Sequence, residues 1–358
     1  MLKAALGVLI SVLAVAVATP AAHAADPATP SAKSAKHKKA PGKKKSTKAK
    51  RKSKARQASN EDAAPVQRAA ARSRKSGVHH VAYAPTPLTA GDLAGLNKRD
   101  PLSLSSNVAL VLDQTTSEVL FEKNASVALP IASITKLMTS MVVVEAGLPM
   151  DEILTVTDAD VDREKFSHSR LRVGSQLSRA DMLHIALMSS ENRAASALGR
   201  NYPGGLPAFV AAMNAKAQQL GMTSTRYTDP TGLASTNVSS AHDLAKLVIA
   251  AYKQPIIREY STDLKYTVEP GVGVLHYKTS NHLVENSDWE IGLQKTGYIS
   301  EAGRCMVMQT RIESRPVVIV LLDSKGKMSR FADANRVRRW IENTRPYAAN
   351  NRVIAQQM

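Results

Sequence analysis

Apolar and polar positions along this chain change their period twice. Asn107–Asp113 and Glu118–Glu122 are short apolar runs around Gln114–Ser117, which predicts two strands joined by a hairpin. Ile134, Leu137, Met138, Met141 and Val142 then recur at helical spacing, and Gly147 and Pro149 close the pattern. A short amphipathic helix is expected, opening at Pro130. Ser178-x-x-Asp181 has the form of a helix start, with Met182, Ile185, Ala186 and Leu187 facing inward. Helical spacing resumes over 194–198, over 207–220 up to Gly221, and over 241–252 behind Ser240 as cap. Residues 266–268, 290–293, 304–312 and 317–322 read as strands, with Glu313-Ser-Arg-Pro316 as a hairpin connection. A last helix starts at Ser329 and runs through Trp340, with Phe331 and Val337 inward. Strands, a block of helices, then strands and a helix predict an α+β chain. Its sheet is made from both ends of the chain, with a helical insertion between them.

The first ninety residues follow neither period. Lys3, the apolar run from Ala4 to Ala18 and Ala22-His23-Ala24 make 1–24 a secretory signal peptide, too short to span a bilayer comfortably. Residues 25–92 are of low complexity, dense in lysine and arginine from Lys33 to Lys75, and up to Ala90 only Asp26, Glu61 and Asp62 oppose them. Most of the net charge of +18 therefore belongs to this segment, which is expected to be disordered. It lacks stacking aromatics and a recognition motif, so nucleic acid is not the expected partner. Anionic envelope polymers or lipid head groups suit an exported polycation, and a solvated spacer fits equally well. Residues 93–345 form the expected folded domain and 346–358 a C-terminal tail. No later stretch is apolar and long enough to cross a membrane, so a soluble or loosely surface-associated protein of the periplasm or cell envelope is expected. Cys305 is the single cysteine, which excludes an intrachain disulfide, and it reads as a packed strand residue. The nine histidines show no metal-ligand spacing, and no phosphate-binding glycine loop is present, so neither metal nor cofactor is expected.

Three short stretches carry candidate chemistry. Ser133 and Lys136 are one helical turn apart and project to the same side. A hydroxyl at a helix start, beside a lysine desolvated by packing, can become a nucleophile at neutral pH. Ser190-Glu191-Asn192 sits where one helix gives way to the next, placing a second hydroxyl and an amide where they can relay a proton and hold a carbonyl. Lys295-Thr296-Gly297 follows a strand-like run, where a cation and a hydroxyl can take a carboxylate and a glycine admits substrate to the backbone. Ser324…Lys327 repeats the first spacing and reads as a solvated turn. Ser105…Asn107 and Ser235…Asn237 repeat the second and read as turn and capping residues.

In this order the three stretches resemble the signature of the penicillin-recognising serine enzymes. Pro130-Ile-Ala-Ser-Ile-Thr-Lys-Leu-Met138, Asp229-Pro-Thr-Gly-Leu233 and Gln294–Cys305 are most similar to the low-molecular-mass D-alanyl-D-alanine peptidases, particularly their endopeptidase branch. The resemblance, over about 107–341, implies a β-lactamase/transpeptidase-like fold: a five-stranded antiparallel sheet flanked by helices, with an all-helical subdomain. It implies a peptidoglycan peptide as substrate and β-lactams as covalent inhibitors. Carried over, it makes Ser133 the acylated nucleophile, Lys136 its base and Ser190 a proton relay. Asn192, Lys295, Thr296 and Gly297 would bind substrate, and the backbone N–H groups of Ser133 and Tyr298 would form an oxyanion hole. Tyr298 stands where β-lactamases often have Thr, which argues against lactam hydrolysis. About sixty residues follow Gly297, too few for the β-rich C-terminal domain of membrane-anchored carboxypeptidases. An endopeptidase is therefore expected; the alternatives are a carboxypeptidase, or a non-catalytic envelope-binding protein on the same fold.

Overall fold

The computed structural model describes residues 87–96, 99–271 and 273–344. The expected signal peptide, the basic run from Lys33 to Lys75 and the C-terminal tail lie outside the described residues. Five strands form the main sheet: β1 (Ser106–Asp113), β2 (Val119–Lys123), β3 (Glu290–Ile299), β4 (Gly303–Ile312) and β5 (Arg315–Ser324). Their order is β2-β1-β5-β4-β3, antiparallel throughout. The two ends of the chain meet at β1 and β5, where Ser106 pairs with Ser324 and Asp113 with Val317. Every residue of β1 is buried, because helices cover both faces of the sheet. Side chains alternate between those faces. Val108, Leu110 and Leu112 join the larger core on the helical side, whereas Ala109 and Val111 pack with Phe331, Val337 and Ile341.

The helices are α1 (Thr135–Glu145), α2 (Arg179–Met188), α3 (Asn192–Arg200), α4 (Gly205–Gln219), α5 (Ala241–Tyr252), α6 (Pro255–Thr262) and α7 (Ser329–Thr344). Ser178 and Ser240 cap α2 and α5 as expected, each accepting from the backbone N–H three residues on. Gly221, at φ 68°, follows the end of α4. Two-residue geometry at Glu313 and Ser314, both at positive φ, turns β4 into β5, so Arg315 and Pro316 already belong to the strand.

Four expectations need correction. The α1 helix is not amphipathic: Thr135 to Val143 are all buried, because α2, α4 and α5 surround it. Residues 266–268 do not join the main sheet but pair with Leu275–Lys278 in a separate hairpin. Buried Val268 and Tyr277, and the bond from Tyr266 Oη to Asp181 Oδ1, fold that hairpin onto the helical side. The basic segment does not stay unfolded through Asp92, since Ala90–Leu93 is a helical turn with Thr89 and Asp92 in a capping box. Thr89 Oγ1 also donates to buried Asp323 Oδ2 at 3.0 Å, which ties this turn to the end of β5. Finally, Ser106 and Asn107 are buried strand residues and not turn residues; they hydrogen-bond to Asp333 and Asp323. Among the described residues, no helix is long and apolar enough to cross a membrane.

Candidate active site

The three stretches meet in one cavity of about 470 Å³, lined by Ser133, Ser190, Asn192, Thr296, Gly297 and Tyr298 among others. Ser133 sits on a single 3₁₀ turn, Ala132–Ile134, that leads into α1. The turn is held open from two sides by glycines. A Cβ at Gly232 (φ 81°) would lie 1.9 Å from the Ala132 carbonyl oxygen, and one at Gly297 would lie 3.0 Å from the Ser133 nitrogen. Ala132 itself is held at φ 48°, a strained conformation for a residue with a side chain.

Lys136 is fully buried beside this turn. Its Nζ donates to Asn192 Oδ1 at 2.7 Å and to the Thr231 carbonyl at 2.6 Å, and lies 2.9 Å from Ser133 Oγ. Burial lowers its pKa to about 7, against the pull of Asp229 and Glu191. A lysine so placed is neutral in a large fraction of molecules near pH 7 and can accept the Ser133 proton. The Thr231 carbonyl is aimed by its own loop. Asp229 Oδ1 accepts from the backbone of Thr231 and Gly232, and Asn237 Nδ2 donates to the Asp229 carbonyl at 2.9 Å and to Thr135 Oγ1 at 3.1 Å. Asn237 is thus no turn residue; it fastens the loop to α1.

Ser190 lies between α2 and α3 at φ 64°, and its Oγ accepts from Lys295 Nζ at 2.9 Å. The expected second hydroxyl therefore meets the sheet lysine, while Asn192 takes the helix lysine. Asn192 Nδ2 also donates to Ser167 Oγ at 2.9 Å. Lys295, Thr296 and Gly297 stand on β3, the free edge of the sheet. Lys295 is buried and its pKa lies well below the ordinary lysine value, because burial is reinforced by Lys136 and Arg330. Thr296 Oγ1 donates to Ser280 Oγ at 2.7 Å. Cys305 pairs with Gly297 from β4 but is buried, with its thiol pushed up to about 12, so it is inert. Among the described residues, no group of His, Cys, Asp and Glu could hold a metal ion.

Several residues here carried no motif. Arg330 on α7 donates to the Gly297 carbonyl at 3.0 Å and lines the cavity from behind β3. Glu191 caps α3 and accepts from Ser169 Oγ at 2.7 Å. Lys165 reaches across the cavity mouth to Glu301. Long-range folding alone brings Arg330 and Lys165 here, so single-sequence spacing holds no signal for them, whereas Glu191 stands between Ser190 and Asn192 in the second stretch.

A half-buried serine beside a buried lysine, a second serine–lysine pair and an open strand edge form a site for acyl transfer, and the comparisons with known proteins agree. Residues 96–326 match the family model described as D-alanyl-D-alanine carboxypeptidase, Peptidase S11. The D-alanyl-D-alanine endopeptidase of Pseudomonas aeruginosa is 52% identical over 67% of this chain and 78% of its own length. That of Escherichia coli K12 is 47% identical over 67% and 78%. The crystal structure of a D-alanyl-D-alanine carboxypeptidase from Mycobacterium tuberculosis superposes with a TM-score of 0.63, at 25% identity, over 70% of this chain and 95% of its own. The chain therefore belongs to the Peptidase S11 family of penicillin-binding serine D-alanyl-D-alanine peptidases.

Proposed function

We propose that this protein is an exported endopeptidase that cleaves D-alanyl bonds in peptidoglycan cross-links through an acyl-enzyme on Ser133. The observation that carries the reading is Lys136 Nζ, buried and 2.9 Å from Ser133 Oγ, with its pKa lowered to about 7. Neutral Lys136 accepts the hydroxyl proton as Ser133 Oγ bonds to the substrate carbonyl carbon. The Ser133 and Tyr298 backbone N–H groups receive the oxyanion. As the C–N bond breaks, Ser190 passes its proton to the leaving amine and is reprotonated by Lys136. Neutral Lys136 then takes a proton from the water that attacks the ester carbonyl and delivers it to Ser133 Oγ as the ester C–O bond breaks. Lys295, Thr296 and Asn192 orient the substrate.

The names of the relatives that are 52% and 47% identical support cross-link cleavage over removal of a terminal residue. The test is chromatography of a purified cross-linked muropeptide dimer after incubation with the protein. Conversion to monomers is expected; release of terminal D-alanine alone would make the enzyme a carboxypeptidase. A fluorescent penicillin should label the wild type and leave Ser133→Ala unlabelled, with both folded. Loss of neither activity nor label in Ser133→Ala would refute the assignment. The basic run from Lys33 to Lys75 is read as a localisation device for anionic envelope polymers or lipid head groups in the periplasm, and its contribution should fade as salt is added.

A further inference from the structure

Where the catalytic cavity ends along β3, a second groove of about 420 Å³ begins. Its walls come from three distant pieces of chain: the turn around Thr89, the end of β3 with its following loop, and Ser324–Lys327 after β5. Tyr298 and Ser300 line both spaces, so a chain leaving one enters the other. The Thr89 wall is anchored and not merely draped. Thr89 Oγ1 donates to Asp323, the Ala90 N–H donates to the Glu301 carbonyl at 2.9 Å, and a Cβ at Gly91 would stand 2.0 Å from Asp323 Oδ2.

The chemistry of this groove is one-sided. Arg304, Lys325 and Lys327 line it with a single carboxylate, Asp92, which is already engaged with Lys325 at 2.6 Å; of the carboxylates nearby, Asp323 is buried behind the wall and Glu301 is paired with Lys165. Arg304 lies 4.4 Å over the Tyr298 ring, a cation–π contact that keeps its charge at the groove. Leu88 and Tyr298 add exposed apolar surface, at 64% and 55% exposure. Such a lining suits carboxylates carried on short aliphatic stems.

Reach decides which part of a substrate arrives there. A peptide laid along the free edge of β3 advances roughly 3.3 Å per residue. From Gly297, beside Ser133, to Ser300 is three residues, or roughly 10 Å at that rise. We infer that the groove is an extended subsite for a part of the peptide that carries free carboxylates, two to four residues from the scissile bond. This rests on the proposed role of Ser133.

The probe is a pair of synthetic cross-linked peptides, one with free carboxylates at those residues and one with the same carboxylates amidated. Wild-type protein should favour the acidic peptide in kcat/KM by about fivefold or more at low salt, and the preference should shrink as salt rises. Lys327→Glu, an exposed change, should abolish or invert the preference, and Lys327→Gln should halve it or more. Thermal melting of each variant shows that the fold is kept. Equal preference in wild type and Lys327→Glu would overturn the subsite. Penicillin labelling of the wild type separates the two readings: a labelled protein with no peptide preference removes the groove alone, and an unlabelled, inactive one removes the role of Ser133 as well.

Discussion

Two buried lysines face each other across the cleft, each with its nitrogen 2.9 Å from a serine hydroxyl. Lys136 belongs to the helical wall and Lys295 to the sheet wall. Burial lowers the pKa of both, but the surroundings then diverge. Around Lys136 the carboxylates of Asp229 and Glu191 pull the value back up, to about 7. Around Lys295 the neighbouring charges are Lys136 and Arg330, which push in the same direction as burial. The first environment is complete in itself and poises a base near neutral pH. The second lacks an anion, and a substrate carboxylate arriving there would be the missing partner. On the proposed mechanism, the same residue paired with the same hydroxyl would serve proton transfer on one wall and recognition on the other, because of the charges placed behind it.

The most severe way to break this comparison is Lys136→Arg. Arginine keeps the positive charge but cannot release its proton near neutral pH, so penicillin acylation should fall by about 10³-fold or more. Stopped-flow acylation kinetics check it, and a rate near that of wild type would mean that Lys136 supplies only charge. In the wild type the acylation rate should rise with pH through about 7, since the base is active when neutral and its folded pKa sets that limb.

Gly232→Ala attacks the helical wall without touching a charge. The new Cβ would collide with the Ala132 carbonyl oxygen at 1.9 Å, and φ 81° is strained for alanine. Displacing the Ser133 turn by even about 1 Å can cost on the order of 100-fold in rate. Acylation should drop accordingly, with a lowered melting temperature by calorimetry. An unchanged rate would show that the turn is not held by this loop.

On the sheet wall, Lys295→Ala should cost about tenfold to a hundredfold in kcat/KM, the range for a lost charge-assisted hydrogen bond. The loss should be larger for substrates with a free carboxylate than for their amides. A loss of the Lys136→Arg size, equal for both substrates, would make the two lysines one proton-transfer unit and erase the distinction.

How much of this could be read from the chain depended on whether a feature is local. Ser178 and Ser240 announced their helices because a cap and its partner are three residues apart. Only the first part of the strand carrying Lys295 was visible, as the run 290–293; the structure continues it through Lys295 to Ile299, at the edge of the sheet. The charges behind the two lysines were not legible. Asp229 belongs to a loop that reads only as a family-like stretch, and Arg330 to a helix whose spacing puts Phe331 and Val337 inward. Their effect arises from long-range placement: Arg330 meets Gly297 across 33 positions, and Asn237 meets Thr135 across 102. Residues 266–268 misled for a similar reason, since a strand pattern does not say which sheet receives it. Thr89 was hidden by composition; its low-complexity neighbours masked a capping box that one buried carboxylate, Asp323, makes worth folding.

The finest test concerns Glu191, one of the two carboxylates that separate the environments. It is buried, caps α3 by accepting from the Arg193 N–H at 3.2 Å, and accepts from Ser169 Oγ at 2.7 Å. Glu191→Gln keeps a carbonyl oxygen for these donors, puts an amide group where Oε2 accepts from Tyr277 Oη at 3.3 Å, and removes the negative charge at nearly unchanged shape. The charge stabilises protonated Lys136, so its loss should lower the Lys136 pKa and move the acidic limb of the acylation profile to lower pH. Glu191 is not the larger of the two influences; Asp229 is. The displacement should therefore be modest, less than about one pH unit, with the plateau rate at high pH kept within about threefold. At pH 6 the variant would then acylate faster than wild type, an outcome that simple structural damage does not produce. A limb that stayed in place, or moved to higher pH, would show that the carboxylates do not set the base, and the contrast between the two walls would have to rest on burial alone.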